Sequence, residues 1–142
     1  MNDLNYTDID LSKDLIYIKL DPNTADMCWI SNDNGKTYGE YPIPIPYKDY
    51  PEKENTIPCW SVGALEKLAP SIITDDGTEY CFELIKDIDG RDPFYIIGYF
   101  NIDNDKDELN QFEDNSLIDC LTDLFIWLIR GNYLDNSKQK LN

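Results

Sequence analysis

The chain contains no histidine. That absence removes Ser-His-Asp and Cys-His catalysis built within the chain. It also removes imidazole metal sites and histidine-based pH switching near neutrality. An enzyme made from these residues would have to work with carboxylates, Lys, Tyr, Cys or a cofactor. Positive charge is scarce, with 12 Lys and Arg against 28 Asp and Glu and a formal net charge of −16. Such a surface repels phosphate, so direct binding to DNA, RNA or anionic lipid is disfavoured; it suits a soluble protein, or one whose partner is basic. No window approaches the ~18 consecutive apolar residues that span a bilayer. The N-terminal "MNDLNYTDID" is acidic and lacks the apolar stretch of a signal peptide. The expectation is a soluble cytoplasmic protein with no membrane contact.

Close cysteine pairs are also missing. Cys28, Cys59, Cys81 and Cys120 lie far apart in sequence, unlike the short-spaced ligands of structural zinc, and in a reducing cytoplasm they are expected as free thiols. There is no Walker loop and no G-x-G-x-x-G. The Gly35-Lys36-Thr37 of "DNGKT" lacks the preceding glycine and the strand–loop–helix context, and reads as a hairpin tip. No cofactor, no metal and no internal repeat are expected.

What is present is a globular composition. The chain has 142 residues, 42% hydrophobic and 13% aromatic, enough for one domain with a real core. The polar ends, about 1–10 and 135–142, are expected to be loose. "LSKDLIYIKL" fits two patterns. Ile16, Ile18 and Leu20 alternate as in a strand, while Leu11/Leu15 and Ile16/Leu20 have helical spacing with Ser12 available as N-cap. Asp21-Pro22-Asn23 ends the element either way. "CWISNDNGKTYGEY" predicts a hairpin about Asn34-Gly35, with strands around Trp29 and Tyr38. Five prolines in 41–58 exclude a helix or central strand and predict an extended surface arm, with Ile43 and Ile45 against the core or a partner.

"IPCWSVGALEKLAP" predicts a short helix over 62–69, capped by Ser61 and stopped by Pro70. "EYCFELIKDIDGRDPFYIIGYF" predicts a second hairpin with Asp89-Gly90 in its turn, and "NIDNDKDELNQFEDN" an acidic loop. The longest helix is predicted over roughly 116–130, with Asn115 or Ser116 as cap, a core stripe of Leu117, Cys120/Leu121, Leu124/Phe125 and Leu128, and Gly131 as the C′ residue. The fold class is α+β. Two β-hairpins form an antiparallel sheet, with the helices packed on one face.

"DPNTADMCW", "IPCWSVGALEKLAP" and "NSLIDCLTDLFIWLIRGNYL", in that order over residues 11–134, resemble small uncharacterised proteins of prophages and mobile elements in gut Bacteroidetes. Those proteins show a TADM-aromatic strand, then P-x-W-S-x-x-A-L-x-x-x-x-P, then a closing helix after two strands. The resemblance implies a helix at "LSKDLIYIKL" and a mobile-element origin. It implies no activity and transfers no catalytic residue. The proline-rich arm is longer and more regular here.

Cys59 precedes a helix, where partial positive charge lowers a thiol pKa. It stands two residues before the cap with no imidazole to assist it, so it reads as a small buried residue in a joint that Trp60 anchors. Asp103, Asp105 and Asp107 match positions 1, 3 and 5 of a calcium loop. Glu108 replaces the required glycine, Asp114 replaces the bidentate glutamate, and the segment follows a strand, so a solvated acidic loop is the better reading. Close carboxylate pairs arise by chance among so many acids, and their separation is not readable from sequence.

In the last helix, Ile126, Trp127 and Ile129 add apolar residues beyond the core stripe. That helix is either enclosed within the domain or meets another chain, which keeps a homodimer open. The leading expectation is a non-enzymatic accessory protein that binds another protein. Tyr41, Tyr47, Tyr50 and Trp127 are its candidate interaction residues. A second reading is an acidic mimic of DNA that occupies a nucleic-acid-binding host protein, with Asp103, Asp105, Asp107 and Glu108 as the acidic patch. A third, an enzyme using carboxylates or Cys59, has the weakest support.

Overall fold

The computed structural model describes residues 4–89 and 92–134. Three helices, α1 (Ile9–Tyr17), α2 (Val62–Leu68) and α3 (Leu117–Arg130), accompany six strands. The strands are β1 (Met27–Ile30), β2 (Thr56–Cys59), β3 (Ile72–Asp75), β4 (Thr78–Asp89), β5 (Asp92–Asn101) and β6 (Asn104–Asp114). β1 and β2 form one antiparallel pair, and β3-β4-β5-β6 a four-stranded antiparallel sheet in that order. The α+β class and the antiparallel sheet hold. The two predicted hairpins do not share a sheet.

The ambiguous N-terminal segment is helical. Asp8 is its N-cap, accepting Leu11 N–H at 2.8 Å, whereas Ser12 is buried and bonded to Thr7. The helix closes with a Schellman motif centred on left-handed Lys19 (φ 77°), in which Leu20 N–H reaches Leu15 O and Lys19 N–H reaches Ile16 O, both at 3.0 Å. It therefore ends before Asp21, which instead caps the 3₁₀ turn Pro22–Thr24. Residues 4–10 are not loose. Tyr6 bridges Ser61, and Thr7 is fully buried. The expectation for 135–142 lies outside the described residues.

The Asn34-Gly35 turn forms, with φ of 60° and 83°, yet no strand follows it. Ser31 and Asp33 capture the returning N–H groups: Gly35 N–H bonds Ser31 Oγ and Thr37 N–H bonds Asp33 Oδ1, each at 2.8 Å. Hydrogen bonds from Thr37 and Ser31 hold the Asp33 carboxyl down to about 2. The partner of β1 comes from the end of the proline-rich segment, so 41–58 is no free arm. Cys28 exchanges both backbone bonds with Ile43 and faces Pro58 on its other side. Pro58 thus occupies a non-hydrogen-bonded position, where its missing N–H costs nothing.

Two strands of the main sheet were not foreseen. β3 and β4 join through Asp76-Gly77, both left-handed (φ 49° and 80°), with Asp75 paired to Thr78. The predicted acidic loop is largely β6. Its pairing with β5 shifts between Tyr99 and Phe100, leaving Leu109 opposite no partner and packed on the core. Gly98 makes this close approach feasible, because a Cβ there would lie 2.3 Å from Asn110 O. Gly90, the expected turn glycine between β4 and β5, lies outside the described residues.

α3 is enclosed. β5 and β6 contact one side of it, and α1 and α2 also pack on it. Ile118, Cys120, Leu121, Leu124, Phe125 and Leu128 are all fully buried, the Ile, Leu and Phe side chains each contributing about 1.5–3 kcal/mol. Ser116 caps the helix through its bond from Asp119 N–H at 3.3 Å. At the C-terminus, Gly131 is not the left-handed residue (φ −88°). Asn132 is (φ 60°), with Tyr133 N–H bonded to Leu128 O at 2.8 Å. Gly131 is required for another reason: a Cβ would meet the Tyr133 ring at 2.6 Å as that ring folds back on Trp127.

Candidate interaction surface

The Cys59–Trp60–Ser61 joint is a structural knot. Its centre is Thr7, whose hydroxyl accepts Trp60 N–H at 3.0 Å and whose carbonyl accepts Trp29 Nε1–H at 3.0 Å and the Cys59 thiol at 3.3 Å. Trp60 is fully buried, with Nε1–H on Thr24 Oγ1 at 2.9 Å. Ser61 Oγ accepts Ala64 N–H at 3.1 Å and donates to Asp26, which also accepts Ser61 N–H at 2.9 Å. Cys59 is fully buried, and burial pushes its thiol up to about 12.

The sequence-predicted interaction residues are dispersed. Tyr41 is 69% exposed. Tyr47 packs on the core and donates its N–H to Ala25 O. The Lys53 ammonium lies 4.4 Å from the Tyr47 ring centroid and donates to the carbonyls of Tyr47 and Tyr50, so it fastens those two together. Trp127 is only half-buried, but its neighbours are the rings of Tyr99, Phe112 and Tyr133, at 5.9, 6.4 and 4.8 Å. Its apolar surface is thus largely accounted for within the chain.

The acidic residues do not form one stripe either. Asp103 is exposed at the β5–β6 turn. Asp107 accepts from Asn101 Nδ2 at 3.0 Å and from the Tyr80 hydroxyl at 3.5 Å, so it braces the sheet. Glu108 stands opposite Phe100 on the far face. The side chain of Asp105 lies outside the described residues. Strand geometry sends successive side chains to opposite faces, which is incompatible with a calcium loop over this segment.

The surface that sequence reasoning missed is the sheet face turned away from α3. Tyr80, Phe82, Leu84, Ile97, Tyr99 and Phe112 occupy the inner face and join the main core. On the outer face one row aligns Ile72, Cys81, Phe100 and Glu108, and the next aligns Glu83, Gly98 and Gln111. A third aligns Ile85, Ile96 and Glu113, and at the projecting end Asp87 faces Phe94. Of these apolar side chains Phe100 is buried, at 8% exposure, while the others lie outside both core clusters. Ile72 and Ile85 are 50% and 41% exposed. Glu79, Glu83, Asp87, Glu108 and Glu113 are exposed here, and no Lys or Arg stands among the described paired positions of this face. Lys86, on the opposite face, leans over Tyr95. The signal was in "CFELI" and "FYIIGYF", where consecutive positions are apolar; such strands present hydrophobic residues to both faces.

No family model, curated protein or solved structure matches the chain.

A cleft of about 580 Å³ lies between the Pro22–Thr24 turn, Lys48 and the start of α2. Its Asp26 is engaged by Ser61, as described, and Lys48 and Lys67 stand at its walls. Among the described residues no group of three or more Cys, Asp or Glu could hold a metal ion. No helix among them is long and apolar enough to cross a membrane.

Proposed function

We propose that this protein works by binding another protein through the outer face of the four-stranded sheet, as a non-catalytic accessory of a phage or mobile element. The observation that carries this reading is the apolar row formed by exposed Ile85 and half-buried Ile96. It sits on the face turned away from α3, and among the described residues no helix packs broadly against it. Sheets bury their apolar faces against another layer, and an uncovered one marks a docking surface. The phage or mobile-element origin is supported by the order of the three segments quoted above.

The test is affinity capture from host lysate with the tagged native chain and with an Ile85→Glu/Ile96→Glu double variant, both confirmed folded by circular dichroism. Capture of a partner by the native chain and its loss with the variant is the expected result. Equal capture by both would overturn the role of the apolar residues of this face. The acids on the same face favour a second reading, mimicry of DNA toward a nucleic-acid-binding protein. In that case the partner would be released by salt or by competing duplex DNA, and retained by the Ile85→Glu/Ile96→Glu variant.

A further inference from the structure

We infer that the occupant of the outer sheet face is a basic amphipathic helix of a partner protein, its apolar side seated on Ile85 and Ile96 and on the neighbouring Ile72 and Cys81, and its Lys or Arg residues against the flanking acids. This rests on the reading of that face as a docking surface. Three observations select this occupant. The first is charge. The described charged groups at the paired positions of the face are Glu79, Glu83, Asp87, Asp92, Glu108 and Glu113, all acids, so a partner gains both attraction and orientation by bracketing its apolar residues with cations. A second copy packed face to face would set these acids against their equivalents, and an anionic membrane would be repelled for the same reason.

The second is architecture. The other side of the sheet already carries a helix, α3, and a helix on the open side completes a layered sandwich. The third is length. From Cys81 to Asp87 the face runs six strand positions, about 20 Å, which is the length of about 13 helical residues. A helix of three to four turns therefore covers all the apolar rows.

The probe is a synthetic ~18-residue helical peptide with leucines on one side and lysines on the other, titrated into the full chain by calorimetry and mapped by amide chemical shifts. A peptide with glutamates in place of lysines is the control. The lysine peptide is expected to bind and to shift Cys81, Ile85, Ile96 and Phe100, while the glutamate peptide does not bind. Glu83→Gln with Glu113→Gln is expected to weaken binding about tenfold. Asp10→Asn with Asp14→Asn, which removes the same charge from α1, is expected to leave it unchanged.

Shifts clustered elsewhere, or equal weakening by both charge pairs, would overturn the inference. If a captured lysate partner depends on Ile85 and Ile96 but not on Glu83 and Glu113, the docking surface stands and the basic helix falls. If sedimentation shows a dimer that Ile85→Glu disperses, the occupant is a second copy and the inference is overturned.

Discussion

Single residues in this chain take their roles from partners that are distant in sequence. Cys59 is the clearest case. A thiol reacts as its thiolate, and burial raises Cys59 and Cys120 to about 12, the latter helped by the nearby acids Asp114, Asp123 and Asp119. Burial also raises Cys28, against a small opposing effect of Lys53. Cys81 alone of the four is partly exposed. Iodoacetamide on the native protein is therefore expected to label one cysteine, Cys81, with the other three labelled only after denaturation. Peptide mass spectrometry reads this directly, and rapid native labelling of Cys59 would contradict it. The role of Ser61 was legible, because a serine before an apolar helical run, with proline at its end, specifies its own local structure. Thr7 was not. Its bonds to Cys59 and Trp60 cross 52 and 53 residues, and no local pattern announces them.

At the scale of the element, α3 shows how packing overrides surface preference. Asp123 lies on the exposed side of this helix, and desolvation by the surrounding protein, followed by the charges of Asp114 and Asp119, raises its pKa above the ordinary carboxylate value. The folded state thus holds the Asp123 proton more tightly than the unfolded chain, whose carboxyl titrates near about 3.9. The contribution favours folding fully below that value and is lost as pH rises through the folded pKa. At neutral pH the ionised group opposes folding. Asp123→Asn is accordingly expected to raise the Tm at pH 7 and to leave it nearly unchanged near pH 3, as measured by thermal circular dichroism. A lower Tm at pH 7 would show that the carboxylate has a stabilising partner. α2 and α3 were readable from their caps and 3.6-residue spacing, whereas the α1 segment fitted a strand equally well and its cap is Asp8, not Ser12. β6 was not readable, because its acids mask the alternation and Leu109, which packs on the core, is itself the unpaired bulge residue and falls out of period with Phe112.

For the whole molecule the dominant fact is a net charge of −16. Self-repulsion of this size opposes the compact state and is screened by salt, whose Debye length shortens from about 30 Å at 0.01 M to about 10 Å at 0.1 M. The Tm is expected to rise over that range, and a fall would mean that attractive ion pairs outweigh the repulsion. The same charge gives the open sheet face its selectivity. Its apolar rows alone would accept many surfaces, including a second copy. The acids around them disfavour that copy and turn the face toward cationic partners.

The sequence by itself determined the α+β class, the ends of α2, the start of α3, the buried state of Cys59 and the acidic character of any interface. Each depends on local stereochemistry or on composition: a hydroxyl or glycine at a particular backbone position, a run with helical period, a count of charges. Only the tertiary structure decided that β1 pairs with the end of the proline-rich segment, that Thr7 ties three distant residues, and that Trp127 packs inward. It also decided that α3 covers one face of the sheet and that, among the described residues, no helix packs broadly on the other, because which face a helix covers depends on contacts formed across the whole chain.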